Sequence, residues 1–390
     1  MIDVDAIRAQ IPVTQRAVYL NTGWSGPSPR TVIEAIKAHL ELEAEDGPAS
    51  PSSLKVHREV DSAARAEVAR LVGATPEEIS LTENTTEGIN IVLNGLSWQP
   101  GDEAITFGIE HSSVLIPTLF LEREGVLTKV LDVAPEDSAD AILAKLHGAL
   151  TPRTKLVSLS HVEYATGMRM PLAEICAMVQ PRGVQVIVDG AQAIGQIAVD
   201  FRALPVDYYA MPGQKWLLGP DGTGALFVRA NRIADLQPRK VSGAAGRYDR
   251  ESRTFEQKPE LIRKFELTTS STALRAGFIE AIRFHQQAGT SEIEHRNSGL
   301  ASLLKDSLLE TTGITVITPL DPVSTTGLVT FRIDGITSQE SVERLWDHWR
   351  IAARSINELE ATRVSLHFFN TEAEVETLVG AVRELASGAA

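Results

Sequence analysis

Apolar and polar positions recur along the chain with two different periods, and the change of period divides it. Between 30 and 47, Val32, Ile33, Ile36 and Leu40 return at helical spacing, and the pattern stops at Gly47-Pro48. A second helix is expected over 55–72, closed by Gly73. From Ser80 to Val228 short apolar runs at 79–82, 103–107, 127–131, 155–159, 185–188, 208–211 and 225–228 alternate with helical stretches. Such alternation predicts a largely parallel sheet covered by helices on both faces. The stretch 238–262 is polar, bears charge and glycine without a clean period, and reads as a long functional loop. A helix over about 272–288 follows. Residues 290–388 mix helices with short strands at 316–317, 327–332 and 364–369 and read as a smaller α+β domain.

Composition narrows the class of protein. With 390 residues, 43% hydrophobic and 23% charged, the chain is long enough for an ample core and two or three domains. A net charge of −14 argues against nucleic acid or an anionic membrane as the main partner. The single cysteine, Cys176, excludes an intrachain disulfide framework. No apolar h-region follows Met1, and no uncharged apolar stretch reaches the ~18 residues of a membrane span. A cytoplasmic enzyme is the expectation. No His/Asp/Glu cluster with ligand spacing is read from the sequence, so no metal site is expected.

Candidate chemistry gathers at the ends of the apolar runs. Val184-Gln-Val-Ile-Val-Asp189 ends in a carboxylate, and Pro212-Gly-Gln-Lys215 places a lysine after the next run. Pyridoxal phosphate chemistry needs that pair: an amine to condense with the cofactor aldehyde and a carboxylate to hold the protonated pyridine nitrogen. On the lysine alone, a surface residue in a glycine-rich turn is the commoner case. Thr82-Glu-Asn-Thr-Thr-Glu-Gly88 opens a helical pattern, which makes either a phosphate seat or a plain threonine cap. His111, after another run, is a surface or core histidine, or a ring that stacks on a flat cofactor.

Together these segments resemble the class V aminotransferase group of fold-type I pyridoxal phosphate enzymes, which includes cysteine desulfurases and cysteine/cystine C–S lyases. The likeness rests on Tyr19-Leu-Asn-Thr-Gly23, Glu83-Asn-Thr-Thr-Glu-Gly-Ile-Asn90, Glu110-His111, His161-Val162, Val188-Asp-Gly-Ala-Gln192, Gly213-Gln-Lys-Trp216, Phe265-Glu-Leu-Thr-Thr-Ser270 and Arg363-Val-Ser-Leu-His-Phe-Phe-Asn-Thr371, in the family's order. It implies an α/β fold of type I: a mostly parallel seven-stranded sheet flanked by helices, plus a smaller α+β C-terminal domain. Residues 1–15 would pack with the small domain, 16–270 would form the large cofactor-binding domain, and 271–390 the small domain with its linking helix.

The resemblance also assigns roles. Lys215 would carry the cofactor and move protons at the substrate α and β carbons. Asp189 would hold the ring nitrogen, Gln192 the 3-hydroxyl oxygen, and His111 would stack on the ring. Thr85 and Thr86 would seat the phosphate, joined by Thr269 from the partner subunit of a homodimer with composite sites. Arg363 would clamp the substrate carboxylate, as a planar fork suits it; Arg354 and Arg247 are the other cations that could do so. Asn21 would line the substrate pocket. The family's hydroxyl and histidine before the lysine are replaced by Pro212 and Gln214, although Gln214 can still donate a hydrogen bond to the cofactor. Tyr164 or Thr166 would stand in for an asparagine near the 3-hydroxyl.

Sulfur chemistry separates the branches. A desulfurase needs a mobile thiol, which the family places within the segment here numbered 351–361, and that segment has no cysteine. Cys176 lies in an apolar-periodic helix and reads as a packing thiol. The pattern is closest to the C–S lyase branch, with α,β-elimination from cystine or a cysteine S-conjugate giving pyruvate, ammonia and a thiol or persulfide. Transamination or epimerisation of a small amino acid is the alternative. A non-catalytic cofactor-binding sensor is the alternative from another class, and the joint presence of Lys215, Asp189 and Arg363 speaks against it.

Overall fold

The computed structural model describes residues 2–388; residues 1 and 389–390 of the expected terminal segments lie outside them. The main sheet has seven strands: β1 (Ile79–Thr82), β2 (Glu103–Phe107), β3 (Leu127–Leu131), β4 (Thr154–Ser160), β5 (Gln185–Asp189), β6 (Tyr208–Pro212) and β7 (Gly224–Val228), in the order β1-β7-β6-β5-β4-β2-β3. Neighbours from β6 to β3 pair in parallel, and β7 alone runs against both of its neighbours. Successive side chains leave opposite faces of a strand, so one sequence feeds two cores. Val157, Leu159, Val186 and Val188 meet Ile175 and Val179 on one face. Leu156, Ile187, Tyr208 and Ala210 meet Ile89, Val92 and Leu93 on the other. Burial on both faces explains why the runs are nearly continuous rather than alternating.

Helices Arg30–Asp46 and Pro51–Val72 pack on a third, Thr272–Ala288. The helices meet closely at Gly277, where an added Cβ would lie 2.6 Å from Ile36 Cγ1. Phe278 and Ile282 of Thr272–Ala288 enter the large core. The next helix, Thr290–Leu309, enters the second domain, contributing Leu300, Leu304 and Leu308 to its core. There β8 (Ile314–Val316), β9 (Leu328–Ile333), β10 (Arg354–Ile356) and β11 (Ala361–Ser365) form an antiparallel sheet in the order β8-β9-β11-β10. The start of the chain joins this domain. Leu20 enters its core, Val18–Tyr19 pairs in parallel with Ile351–Ala352, and Arg8 is ion-paired with Glu374 at 2.8 Å.

The fold agrees with the expected α/β type, with local corrections. Residues 238–262 are not all loop: Gly246–Asp249 and Thr254–Gln257 form an antiparallel hairpin. Its strands are almost wholly exposed, so no buried face imposes an apolar period. The expected strand at 364–369 is displaced to Ala361–Ser365. The apolar run continues because Phe368 and Phe369 pack with Ile11, Leu218 and Ile293 rather than in the sheet. Among the described residues no helix is long and apolar enough to cross a membrane.

Candidate active site

Because β1, β2, β4, β5 and β6 run the same way, their carboxyl ends open on one side, where ligands of such sheets bind. A cleft of about 410 Å³ lies there, closed from the second domain by Arg354 and Arg363. A larger hollow of about 880 Å³ opens elsewhere, between Glu136 and Leu320, and holds none of the candidate groups.

After β1 the helix Thr85–Gly95 points its N-terminus into the cleft. Asn84 caps it, its Oδ1 accepting the Glu87 N–H at 2.9 Å. First-turn N–H groups have no acceptor within their helix, so this end, with the Thr85 and Thr86 hydroxyls, can seat an anion. After β2, His111 reaches the cleft with Nδ1 2.9 Å from Ser113 Oγ, and its ring stands edge-on to Tyr164 at 5.0 Å between centroids. Burial, then the nearby cations Lys215, Arg354 and Arg363, push the imidazole down to about 4, so it is neutral at pH 7.

Asp189 ends β5, buried, its Oδ1 accepting the Ala191 N–H at 2.7 Å. Burial raises its carboxyl, while Lys215 and the Ala191 bond pull it back. Lys215 follows β6 and is lowered to about 8, by burial first; Asp189 opposes the shift, and Arg363 and Arg354 add to it. The backbone around the lysine is held tightly. The Gly26 N–H donates to Gln214 O at 2.6 Å, and an added Cβ on Gly26 would sit 2.2 Å from Lys215 O. Gln192 gives one N–H to Gly23 O at 2.7 Å, and its oxygen accepts from Trp216 at 2.9 Å, which leaves one N–H to offer.

Arg363 is 1% exposed. Its Nη1 donates to Tyr164 O at 2.6 Å, whereas Nε and Nη2 are buried without a partner. Burial, then Arg354, lowers it to about 9. Arg354 lies 3.6 Å over the Trp24 ring, and its Nε is also unpartnered. Behind the cleft, Glu110 accepts from Ser160 N at 2.9 Å, and the fully buried Glu163 lies against it.

Not every candidate enters the cleft. Gln214 and Tyr164 line it, whereas the Thr166 hydroxyl is occupied by the Met168 N–H at 3.1 Å. Asn21 is set back, bridged to Ser365, and Gly23, Trp24 and Ser25 form the wall instead. Arg247 is on the exposed hairpin. Thr269 lies in a separate hollow of about 260 Å³ with His57 and Arg263. Its φ of 65 is unusual for a β-branched residue. Cys176 is fully buried in the core. Trp24, Ser25 and Asp221 of the wall were not legible, since they come from irregular segments without a chemical pattern.

The cleft thus offers an anion seat, a buried carboxylate, a buried amine of reduced basicity, and unpartnered polar atoms on Gln214 and Arg363. These fit the phosphate, ring nitrogen and aldehyde of pyridoxal phosphate, with a guanidinium left for a carboxylate. Residues 18–378 match the aminotransferase class V family. Isopenicillin N epimerase of Streptomyces clavuligerus is 31% identical over 98% of each chain. A probable cysteine desulfurase of Methanothermobacter thermautotrophicus is 29% identical over 97% of each. Among solved structures, a complex of the cystine C–S lyase C-DES with its reaction product cysteine persulfide superposes with a TM-score of 0.90. It is 30% identical and covers 96% of this chain and 99% of that one. The chain belongs to the class V aminotransferase family. It is a pyridoxal-phosphate-dependent enzyme of the cysteine desulfurase-like kind.

Proposed function

We propose that the protein is a C–S β-lyase acting on cystine or another cysteine S-conjugate. The observation that carries this is a cleft holding Lys215 and a buried, half-unpartnered Arg363, with no thiol among its lining residues. Bound there, pyridoxal phosphate supplies an electron sink that makes the substrate α-proton removable. Thr85 and Thr86 would hold its phosphate, Asp189 its ring nitrogen and Gln192 its 3-hydroxyl oxygen, and the neutral His111 would supply a face for its ring. Arg363 receives the substrate carboxylate on Nε and Nη2, which fixes the α-carbon near Lys215. The Lys215 amine takes the α-proton. The Cβ–S bond breaks, the sulfur leaves with the bonding pair, and the enamine left behind takes up water to give pyruvate and ammonia. A persulfide relay has no acceptor here, since Cys176 is buried in the core.

Epimerisation is the second reading, favoured by the likeness to isopenicillin N epimerase. It needs the same removal of the α-proton but no leaving group. Incubation with L-cystine should release pyruvate, measured with lactate dehydrogenase, and Lys215→Ala should abolish the release. Arg363→Ala should raise KM and lower kcat/KM by an amount worth about 2–5 kcal/mol, while cofactor binding persists. Solvent-deuterium incorporation at Cα without pyruvate, for cystine and S-alkyl cysteines alike, would replace elimination by epimerisation.

We also propose a homodimer in which each chain lends Thr269 to the other's phosphate seat, since Thr269 lies outside its own chain's cleft.

A further inference from the structure

The helices Arg30–Asp46 and Pro51–Val72 carry a group of side chains that the cleft does not use. His39 and Glu43 are one turn apart on the first helix and so leave the same face. His57 comes from the second. The Nε2 atoms of His39 and His57 lie 3.3 Å and 2.8 Å from the same oxygen, Glu43 Oε1. The ring centroids are 5.4 Å apart, and the three donor atoms fall within 4.8 Å of one another. His39 is buried, and the other two are part-buried.

Neither Nε2 makes a directed hydrogen bond, although each is within ion-pair reach of the carboxylate. Two imidazole nitrogens without a hydrogen-bond partner and a carboxylate oxygen, all close together, make a candidate ligand set. Two histidines and one carboxylate are a common donor set for zinc, with a fourth position left to water. Bonds of about 2.0–2.1 Å in tetrahedral geometry place neighbouring donors roughly 3.3 Å apart. His39 and Glu43 already meet that spacing, and His57 would move away by about half an ångström.

We propose that His39, Glu43 and His57 bind one divalent transition-metal ion per chain, zinc fitting best, which clasps the two helices together. No metal site is expected from spacing along the chain, where His57 is remote from the pair at 39 and 43; the turn 47–50 folds it back onto them. None of the three lines the cleft of its own chain, although His57 borders the hollow that holds Thr269; the clasp joins two helices and does not rest on the proposed reaction.

The test uses full-length holoprotein freed of metal with a chelator, then titrated with zinc(II) against a chromophoric competitor and, separately, with cobalt(II). The expected result is one zinc per chain, a higher melting temperature in zinc, and the visible d–d bands of tetrahedral cobalt. Changing an outer-shell partner of a metal typically costs 10–100-fold in affinity; His39→Asn and His57→Asn remove ligands and should weaken binding by at least roughly tenfold. Far-ultraviolet circular dichroism and cofactor absorbance establish that each variant is folded, and Glu43→Gln, nearly isosteric, serves if a histidine variant is not. Overturning results are no stoichiometric zinc binding to the wild type, or binding that His57→Asn and Glu43→Gln leave unchanged.

Discussion

At the scale of single residues, the site depends on charges held away from water. Lys215 is lowered to about 8 by burial and partly held up by Asp189. Only the neutral amine can attack the cofactor aldehyde, so capture of pyridoxal phosphate by the apo-protein should quicken with pH and level off above about 8. Asp189→Asn removes the group that raises the amine, so the limb should shift to lower pH. Stopped-flow absorbance from pH 6 to 10 measures both, and a flat profile or an upward shift would disprove the coupling. Glu163 is a second case. Burial raises its carboxyl well above the ordinary 4.5, with Glu110 and Asp189 adding to the effect. The folded state therefore binds more protons than the unfolded one above pH 4.5, so this residue costs stability as pH rises through its folded value. Glu163→Gln should melt higher than wild type at pH 8, and the difference should vanish below about pH 4.5. Equal melting points at pH 8 would show that its surroundings do not raise the carboxyl.

At the scale of elements, the anion seat is a capped helix end. The cap sequence Asn84-Thr85-Thr86-Glu87 is legible in the chain because capping is local: Asn84 and Glu87 meet within one turn. Asn84→Ala should lower the urea midpoint by an amount worth about 1 kcal/mol and weaken cofactor binding, followed by absorbance titration. Unchanged cofactor affinity at reduced stability would separate the cap from the seat. The strands of the main sheet other than the edge strand β3 were legible for a related reason, since runs buried on both faces need no partner to be recognised. The hairpin at 246–257 and the end of β11 were not. The hairpin's strands are exposed, so no apolar period marks them, and the end of β11 is set by its pairing with β9 and by the packing of Phe368 and Phe369.

At the scale of the whole molecule, Thr269 and Lys215 of one chain occupy different hollows. If each site is shared between subunits, two defective chains should repair one another. Lys215→Ala mixed with Thr269→Asp should recover up to one working site per heterodimer, the one that joins an intact Lys215 to the partner's Thr269. Pyruvate formation after confirmed subunit exchange measures this. Mixtures no better than their parents, or full activity in a sedimenting monomer, would exclude the shared site.

Sequence alone determined whatever depends on near neighbours: the helical and strand periods, the cap at Asn84, the carboxylate closing β5 and the lysine following β6. It also carried the family, because the motifs keep their order along the chain. Tertiary structure decided what depends on distant segments meeting. It chose Tyr164 over Thr166 for the cleft wall, placed Trp24 under Arg354, set Asn21 back, and left Nε and Nη2 of Arg363 without partners. It also folded His57 onto His39 and Glu43. The physical reason is that periodicity and capping are properties of one segment, whereas burial, and the pKa shifts and open hydrogen bonds that follow from it, belong to no segment until the others have packed around it.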